Sequence, residues 1–348
     1  MSLFETDWQL PLPAPHSHGG ADAFGAARFD FSSNANAAGP LPSVAAAVLA
    51  ADRRGYPDPA YSVLRQHLGR WHGVSAGRIV PAASASEFIH RFTRAAALWG
   101  GASRVLLPRP GYGDYAAAAG QCGLAMASYD SQAVGLPASE LERGTLAWVT
   151  EPISPSGATR MADLPCFLAV AQAFGASVVL DLAYQPLRFD GGPLPAAVDS
   201  AWQLCSPNKA CGLTGVRAAY AIAPLGAEAV AAALRETASS WVVGADGVAM
   251  LTAFAGAKAQ AELEAQRGLL LTWRERLLRH LSERGWHDEA SASVTPFFLA
   301  RPPHALDWGA LRNRGIKLRD ASELGLPGWV RLSAQRPEAV AALCRELD

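Results

Sequence analysis

Residues 206–217 read Ser206-Pro207-Asn208-Lys209-Ala210-Cys211-Gly212-Leu213-Thr214-Gly215-Val216-Arg217, a loop of small residues holding one lysine. The loop lies between two apolar runs, Ala201-Trp202-Gln203-Leu204-Cys205 and Ala218-Ala219-Tyr220-Ala221-Ile222-Ala223, which read as buried strands. A lysine between such strands is costly, because its ammonium must be taken out of water. The cost disappears when the amine is held covalently by a carbonyl ligand, as a Schiff base. Lys209 is therefore the first candidate for a reacting group.

Upstream of the loop, strand-like and helix-like segments alternate over residues 78–224. Residues 78–81 read as a short strand, followed by the small-residue turn Ala82-Ala83-Ser84-Ala85-Ser86 and a helix over residues 87–99. A helix N-terminus after such a turn offers free backbone N–H groups and a positive dipole end to an anion. The same pattern equally describes a helix capped by Ser84 or Ser86 with no ligand. Residues 104–108 form the next expected strand, and Arg109-Pro110-Gly111-Tyr112-Gly113-Asp114-Tyr115 follows it. Tyr112, between glycines, is placed to lay its ring over a ligand. Further strands over 146–150 and 177–180 lead into Glu151-Pro152-Ile153-Ser154-Pro155-Ser156-Gly157 and Asp181-Leu182-Ala183-Tyr184. An acid such as Asp181 at a buried strand end needs a cation or a hydrogen-bond donor.

This alternation predicts an α/β fold, a doubly wound and mostly parallel sheet. Ligands in such sheets lie beyond the carboxyl ends of the strands. Ser86, Tyr112, Ser154, Asp181 and Lys209 all fall at those ends. Residues 1–40 read as an extended arm, rich in Asn, Ser and Gly, in which Asn34 and Asn36 have the chemistry of turn formers. Helices are expected over 44–52, capped by Ser43, and over 60–71. After residue 224 the texture changes to a smaller α+β unit: a long helical stretch over 246–284, strands near 290–301, 316–319 and 328–333, and a terminal helix over 338–347. The expected organisation is an arm (1–40), a large ligand-binding domain (41–224) and a small C-terminal domain (225–348).

The 348 residues suffice for a large core, and the formal net charge of -1 argues against a nucleic-acid partner. Five cysteines without paired spacing suggest packed thiols rather than a disulfide or zinc framework. No apolar run approaches the roughly 20 residues needed to span a bilayer. Residues 1–15 lack a basic start and an apolar core, so a cytoplasmic location is expected.

In order, Asp181-x-x-Tyr184, Ser206-x-x-Lys209 and Arg217 resemble the fold-type I pyridoxal-phosphate enzymes of aminotransferase class I/II. The likeness is nearest to histidinol-phosphate aminotransferases and to threonine-phosphate decarboxylase of cobalamin synthesis, and it spans nearly the whole chain. His18-Gly19-Gly20 and Asp30-Phe31-Ser32-Ser33-Asn34-Ala35-Asn36 look most like the cobalamin branch, while Gly55-Tyr56-Pro57-Asp58 and Arg319-Asp320 with Arg331 occur in both. The resemblance implies that Lys209 holds pyridoxal 5'-phosphate covalently and moves substrate protons. It implies that Asp181 pairs with the ring nitrogen, Tyr184 with the ring oxygen, and Tyr112 with the ring face. Ala85, Ser86, Ser206 and Arg217 would hold the cofactor phosphate. Tyr56 would reach that phosphate from a second subunit of a homodimer. Arg331 would grip a substrate carboxylate, with His18, Asn34 and Arg319 around a substrate phosphate.

The chain departs from the family pattern at three places. Ser154 stands where an asparagine usually donates to the ring oxygen, Asn208 where a serine usually touches the phosphate, and Glu151 where another asparagine begins the loop. Serine is shorter and is expected to reach the ring oxygen only through water. The implied activity is transfer of an amino group from an L-amino acid or a phosphorylated amine. Decarboxylation of L-threonine O-3-phosphate stands beside it, and an altered, catalytically silent cofactor-binding protein is the weaker alternative. A nucleotide-binding module is disfavoured, since no GxGxxG follows a first strand and it would leave Lys209 and Asp181 without a purpose.

Overall fold

The computed structural model describes residues 19–133 and 135–348, so His18 lies outside the described residues. In chain order the strands are β1 (Phe29–Asp30), β2 (Ile79–Ala82), β3 (Arg104–Arg109), β4 (Ala125–Asp130), β5 (Thr145–Thr150), β6 (Ser177–Asp181), β7 (Trp202–Cys205), β8 (Ala219–Ile222), β9 (His287–Asp288), β10 (Phe297–Arg301), β11 (Ile316–Lys317), β12 (Arg319–Asp320) and β13 (Val330–Ser333). Seven of them form the central sheet, in the order β2-β8-β7-β6-β5-β3-β4. Only β8 runs against its neighbours, so the sheet is mostly parallel, as the alternating pattern predicts.

Burial explains why these runs became strands. All six residues of β5 are buried, the pattern of a central strand covered on both faces. On one face Phe88 and Phe92 of the helix Ala85–Leu98 and Tyr115 of the helix Gly113–Gln121 pack against Trp148 and Trp202 of the sheet. On the other, Phe167 and Leu168 of the Leu164–Phe174 helix cover Leu106, Val149 and Leu180. The strand β4 is absent from the sequence reading. It is an edge strand with mostly exposed or half-buried side chains, and its Ala-Met-Ala-Ser-Tyr-Asp lacks a β-branched run.

Three other expectations are corrected. The helix expected over 44–52 is Pro42–Leu49, with Pro42 in the first turn. Ser43 does not cap it but binds Glu262, through its backbone N–H at 3.0 Å and its hydroxyl at 2.7 Å. The long helical stretch is two helices, Ala245–Phe254 and Ala257–Glu283, separated at Ala255 and Gly256. The strand expected over 290–301 shortens to β10, since residues 290–292 turn as a short 3-10 helix.

The C-terminal part carries an antiparallel sheet in the order β12-β13-β10-β9. The arm joins it: β1 pairs in parallel with β11, and Ser333 donates its N–H to the Phe31 carbonyl at 3.0 Å. A few residues later the arm reaches the lysine loop. Asn36 donates from its backbone to the Lys209 carbonyl (2.9 Å) and from its amide to Ala210 O (3.0 Å) and to Gln266 (2.5 Å). Asn36 is thus a turn former, as its chemistry predicts, and also a clamp on the loop. The approach is close enough that a Cβ on Gly212, which has φ +67, would lie 2.7 Å from the Gly39 carbonyl oxygen.

The loop after β5 is braced by a buried ion pair. Glu151, wholly buried, meets Arg188 at 2.8 Å, the Thr159 hydroxyl at 2.6 Å and the Arg160 N–H at 2.7 Å. Burial pushes the Glu151 carboxyl up, against the pull of these donors. Arg188→Met leaves that carboxyl without its cation, and the chain should lose about 3–5 kcal/mol of stability. The raised carboxyl makes the folded variant bind more protons than the unfolded chain above the ordinary glutamate range, so its stability should fall as pH rises from that range towards neutrality. Urea unfolding of both proteins across that range checks this, and a variant as stable as the parent at both ends would refute it.

Candidate active site

Strands β2, β3, β5, β6 and β7 all deliver their carboxyl ends to one open cavity of about 1120 Å³. Ala85, Ser86 and Tyr112 line it from the β2 and β3 sides. Ser154, Asp181 and Tyr184 line it from β5 and β6. Ser206, Lys209 and Arg217 line it from the lysine loop. Asn34 from the arm, with Arg319 and Arg331 from the C-terminal sheet, completes the wall. Thus all but two of the candidate site residues border the same space. Tyr56 does not; it is 77% exposed and stacks on Trp241 at 4.1 Å, with 16° between the rings. His18 is not among the described residues, although Gly19 and Gly20, next along the chain, line the cavity.

Local sequence accounts for each placement. Ser84 caps the Ala85–Leu98 helix, its hydroxyl accepting from the Glu87 N–H at 3.0 Å. Ser84 rather than Ser86 is therefore the cap, which leaves Ser86 to face the cavity and meet the Tyr112 hydroxyl at 2.9 Å. An anion at this helix start would meet free N–H groups and the positive dipole end. Asn208 braces the lysine loop from within: the Ser206 hydroxyl donates to its amide oxygen (3.1 Å), and its amide nitrogen donates to Thr214 O (3.4 Å). Lys209 is half-buried rather than sealed between strands, and its Nζ lies 5.3 Å from the centre of the Tyr184 ring. The cavity, not the core, takes up the amine.

Asp181 is the buried acid of the cavity. One carboxylate oxygen accepts the Ala183 N–H at 3.0 Å and the other the Tyr115 hydroxyl at 2.6 Å. Burial pushes its carboxyl up, while the Tyr115 hydrogen bond and the Lys209 ammonium pull it down. Tyr115 is a residue the sequence reading passed over. Its signal was present, since Tyr112 and Tyr115 are three apart and share a face of the Gly113–Gln121 helix start. Nothing in the sequence, however, places Tyr115 against β6.

Arg319 and Arg331 are directly opposite each other on β12 and β13. Arg331 donates to the Ser32 carbonyl at 2.7 Å, and Arg319 to Glu323 at 3.2 Å. Burial lowers the Arg331 guanidinium's affinity for its proton, and the neighbouring Arg319 charge adds to that. Both side-chain amide atoms of Asn34 are buried and have no hydrogen-bond partner among the described residues. An acid at a strand end, an amine across from it, an open helix N-terminus and unmet polar groups fit a phosphorylated, nitrogen-containing ring with an aldehyde. Among the described residues no cluster of His, Cys, Asp or Glu could hold a metal ion, and no helix is long and apolar enough to cross a membrane.

Comparison with known proteins agrees with this chemistry. Residues 27–347 match the family aminotransferase class I and II. The chain is 29% identical over 321 residues to a histidinol-phosphate aminotransferase of Paramagnetospirillum magneticum, covering 87% of this chain and 86% of the relative. Its fold is similar to that of L-threonine-O-3-phosphate decarboxylase from Porphyromonas gingivalis, with a TM-score of 0.76, 21% identity and coverage of 91% and 97% of the two chains. It is similar too to histidinol-phosphate aminotransferase from Sinorhizobium meliloti in complex with pyridoxal-5'-phosphate, with a TM-score of 0.73, 20% identity and coverage of 90% and 88%. By the match over nearly its whole length and the residues that converge on the cavity, this chain belongs to aminotransferase class I and II and is a pyridoxal-phosphate-dependent aminotransferase.

Proposed function

We propose that the cavity takes an anionic amino compound, an L-amino acid or a phosphorylated amine, and passes its amino group to a 2-oxo acid. The observation that carries this reading is the pairing of Arg319 and Arg331. Two guanidinium groups directly opposite on neighbouring strands repel one another, an arrangement suited to holding anions. The buried amide of Asn34, which meets no partner among the described residues, stands at the same cavity and supports a polar ligand there.

Bound pyridoxal phosphate supplies an aldehyde that reacts with amines and a ring that withdraws electrons from the substrate's α-carbon. In this reading Lys209 holds the cofactor and moves the proton at that carbon. Asp181 accepts a hydrogen bond from the ring nitrogen, Tyr184 donates to the ring oxygen, and Tyr112 covers the ring face. Backbone N–H groups at Ala85 and Ser86, the Ser206 hydroxyl and Arg217 hold the phosphate. Ser154 would reach the ring oxygen only through water. Arg331 binds the substrate carboxylate, and Arg319 with Asn34 binds the second anionic group. Tyr56 is exposed and absent from its own cavity, which supports a homodimer in which it serves the site of the other copy.

Purified protein should show a yellow cofactor absorbance that borohydride abolishes and that Lys209→Ala lacks. A colourless protein that pyridoxal phosphate cannot reconstitute would sink the reading.

Amino transfer should require a 2-oxo acid, with histidinol phosphate and aromatic L-amino acids as the first donors to try. Arg331→Ala should lose at least about tenfold in kcat/KM. One observation favours a second reaction. Side by side, Arg319 and Arg331 provide for a carboxylate and a phosphate together, as an O-phosphorylated L-amino acid would present them. Release of CO2 from L-threonine O-3-phosphate with no dependence on an acceptor would replace transamination by decarboxylation.

Light scattering should return twice the chain mass of 36.6 kDa. Mixed and refolded Lys209→Ala and Tyr56→Ala chains, each weak alone, should regain activity, because a hybrid pair carries one complete site. A monomer mass, or a mixture no better than its parts, would argue against the shared site.

A further inference from the structure

We propose that Tyr115 is a positioning residue for the cofactor: its hydroxyl holds the Asp181 carboxylate charged and aimed at the ring nitrogen. This rests on the reading above that Asp181 faces that nitrogen.

Tyr115 is 1% exposed, and its ring is held on two sides. It stacks on Trp148 at 4.9 Å with 16° between the planes, and Tyr112 meets it nearly edge-on at 5.8 Å and 83°. Its hydroxyl lies 2.6 Å from Asp181 Oδ2 and 3.2 Å from the Thr150 hydroxyl. Burial first, and the Asp181 charge second, push the phenol well above its ordinary range. The phenol therefore keeps its proton and can only donate it to Asp181. With that proton committed, the Thr150 hydroxyl is the donor to the Tyr115 oxygen, which strengthens the outgoing bond. The hydrogen bonds run from Thr150 to Tyr115 to Asp181.

The effect on Asp181 is electrostatic and geometric. Burial alone favours the neutral acid, which is the wrong state to accept a hydrogen bond from a protonated ring nitrogen. The Tyr115 hydroxyl and the Ala183 N–H donate to opposite oxygens and favour the anion. They also fix the plane of the carboxylate, one from the next residues of the chain and the other from a helix. The same tyrosine touches the ring of Tyr112, so the group beside the ring face and the group at the ring nitrogen share one support.

The test is Tyr115→Phe, which removes one oxygen and leaves the ring packing in place. Pyridoxal phosphate is titrated into apo-protein across a pH series and followed by absorbance, beside the melting temperature of the apo-protein. Loss of a hydrogen bond to a charged group should weaken cofactor binding roughly tenfold or more. The acid limb of cofactor affinity should move to higher pH, because the carboxyl loses a donor that held it down. Thr150→Val, which keeps the tyrosine, should shift both in the same direction by less, and it serves if the phenylalanine variant does not fold. In an Asp181→Asn background, Tyr115→Phe should cost no further affinity. A lower melting temperature with unchanged affinity and unchanged acid limb would reduce Tyr115 to a core residue and overturn the inference, with Asp181→Asn still impaired and the functional reading intact. Full cofactor affinity in Asp181→Asn itself would instead overturn both.

Discussion

A carboxylate taken out of water at the end of β6 sets terms for everything around it. Asp181 needs donors, and the fold supplies them from its own next residues, from the Gly113–Gln121 helix and from the charge of Lys209. Such a group is uneconomical in a core unless a ligand gives it a purpose. The parallel sheet makes the arrangement possible, because β3, β5, β6 and β7 run in the same direction and end on the same side. Acid, amine and aromatic ring then meet at one cavity although Tyr112 and Lys209 are 97 positions apart in the chain.

Around this centre the backbone is tied down by polar contacts that serve geometry rather than chemistry. Asn36 binds the carbonyls of Lys209 and Ala210, so the arm is tied to the lysine loop. The same arm pairs with β11 and accepts a hydrogen bond from Arg331 on β13. The arm therefore links the residues that would read the substrate to the backbone that carries the amine. Glu151 and Arg188 play a comparable part beneath the Ser154 loop, where a buried ion pair occupies the place at which the family usually has an asparagine. A buried pair of this kind adds little net stability but fixes a conformation strongly, since either partner alone is costly.

The departures at Ser154 and Asn208 take on different weights in three dimensions. Asn208 spans Ser206 and Thr214 and so supports the loop, while also lining the cavity. Ser154 remains at the cavity wall, where its short side chain leaves more room than an asparagine would. Tyr184, packed edge-on against Phe297, is the nearby phenol whose position does not depend on that change.

Much of this was legible from residue types alone. Apolar runs ending in Asp181 and leading into Lys209, and a capped helix after a small-residue turn, follow from local rules of burial and capping that act over a few residues. Those rules also explain the misses. The edge strand β4 is half exposed and carries no clear pattern, and the break at Ala255 and Gly256 is marked by only one glycine in an alanine-rich run. The sequence by itself determined the order of strands and helices, the acid and the amine at strand ends, and the family to which that order belongs. Only the tertiary structure decided that Tyr115 stands behind Asp181, that Asn36 grips the lysine loop, that Arg319 is opposite Arg331 on neighbouring strands, and that Tyr56 lies outside its own cavity. These are contacts between distant parts of the chain. Their partners are chosen by strand register and helix packing, which no short stretch of residues encodes.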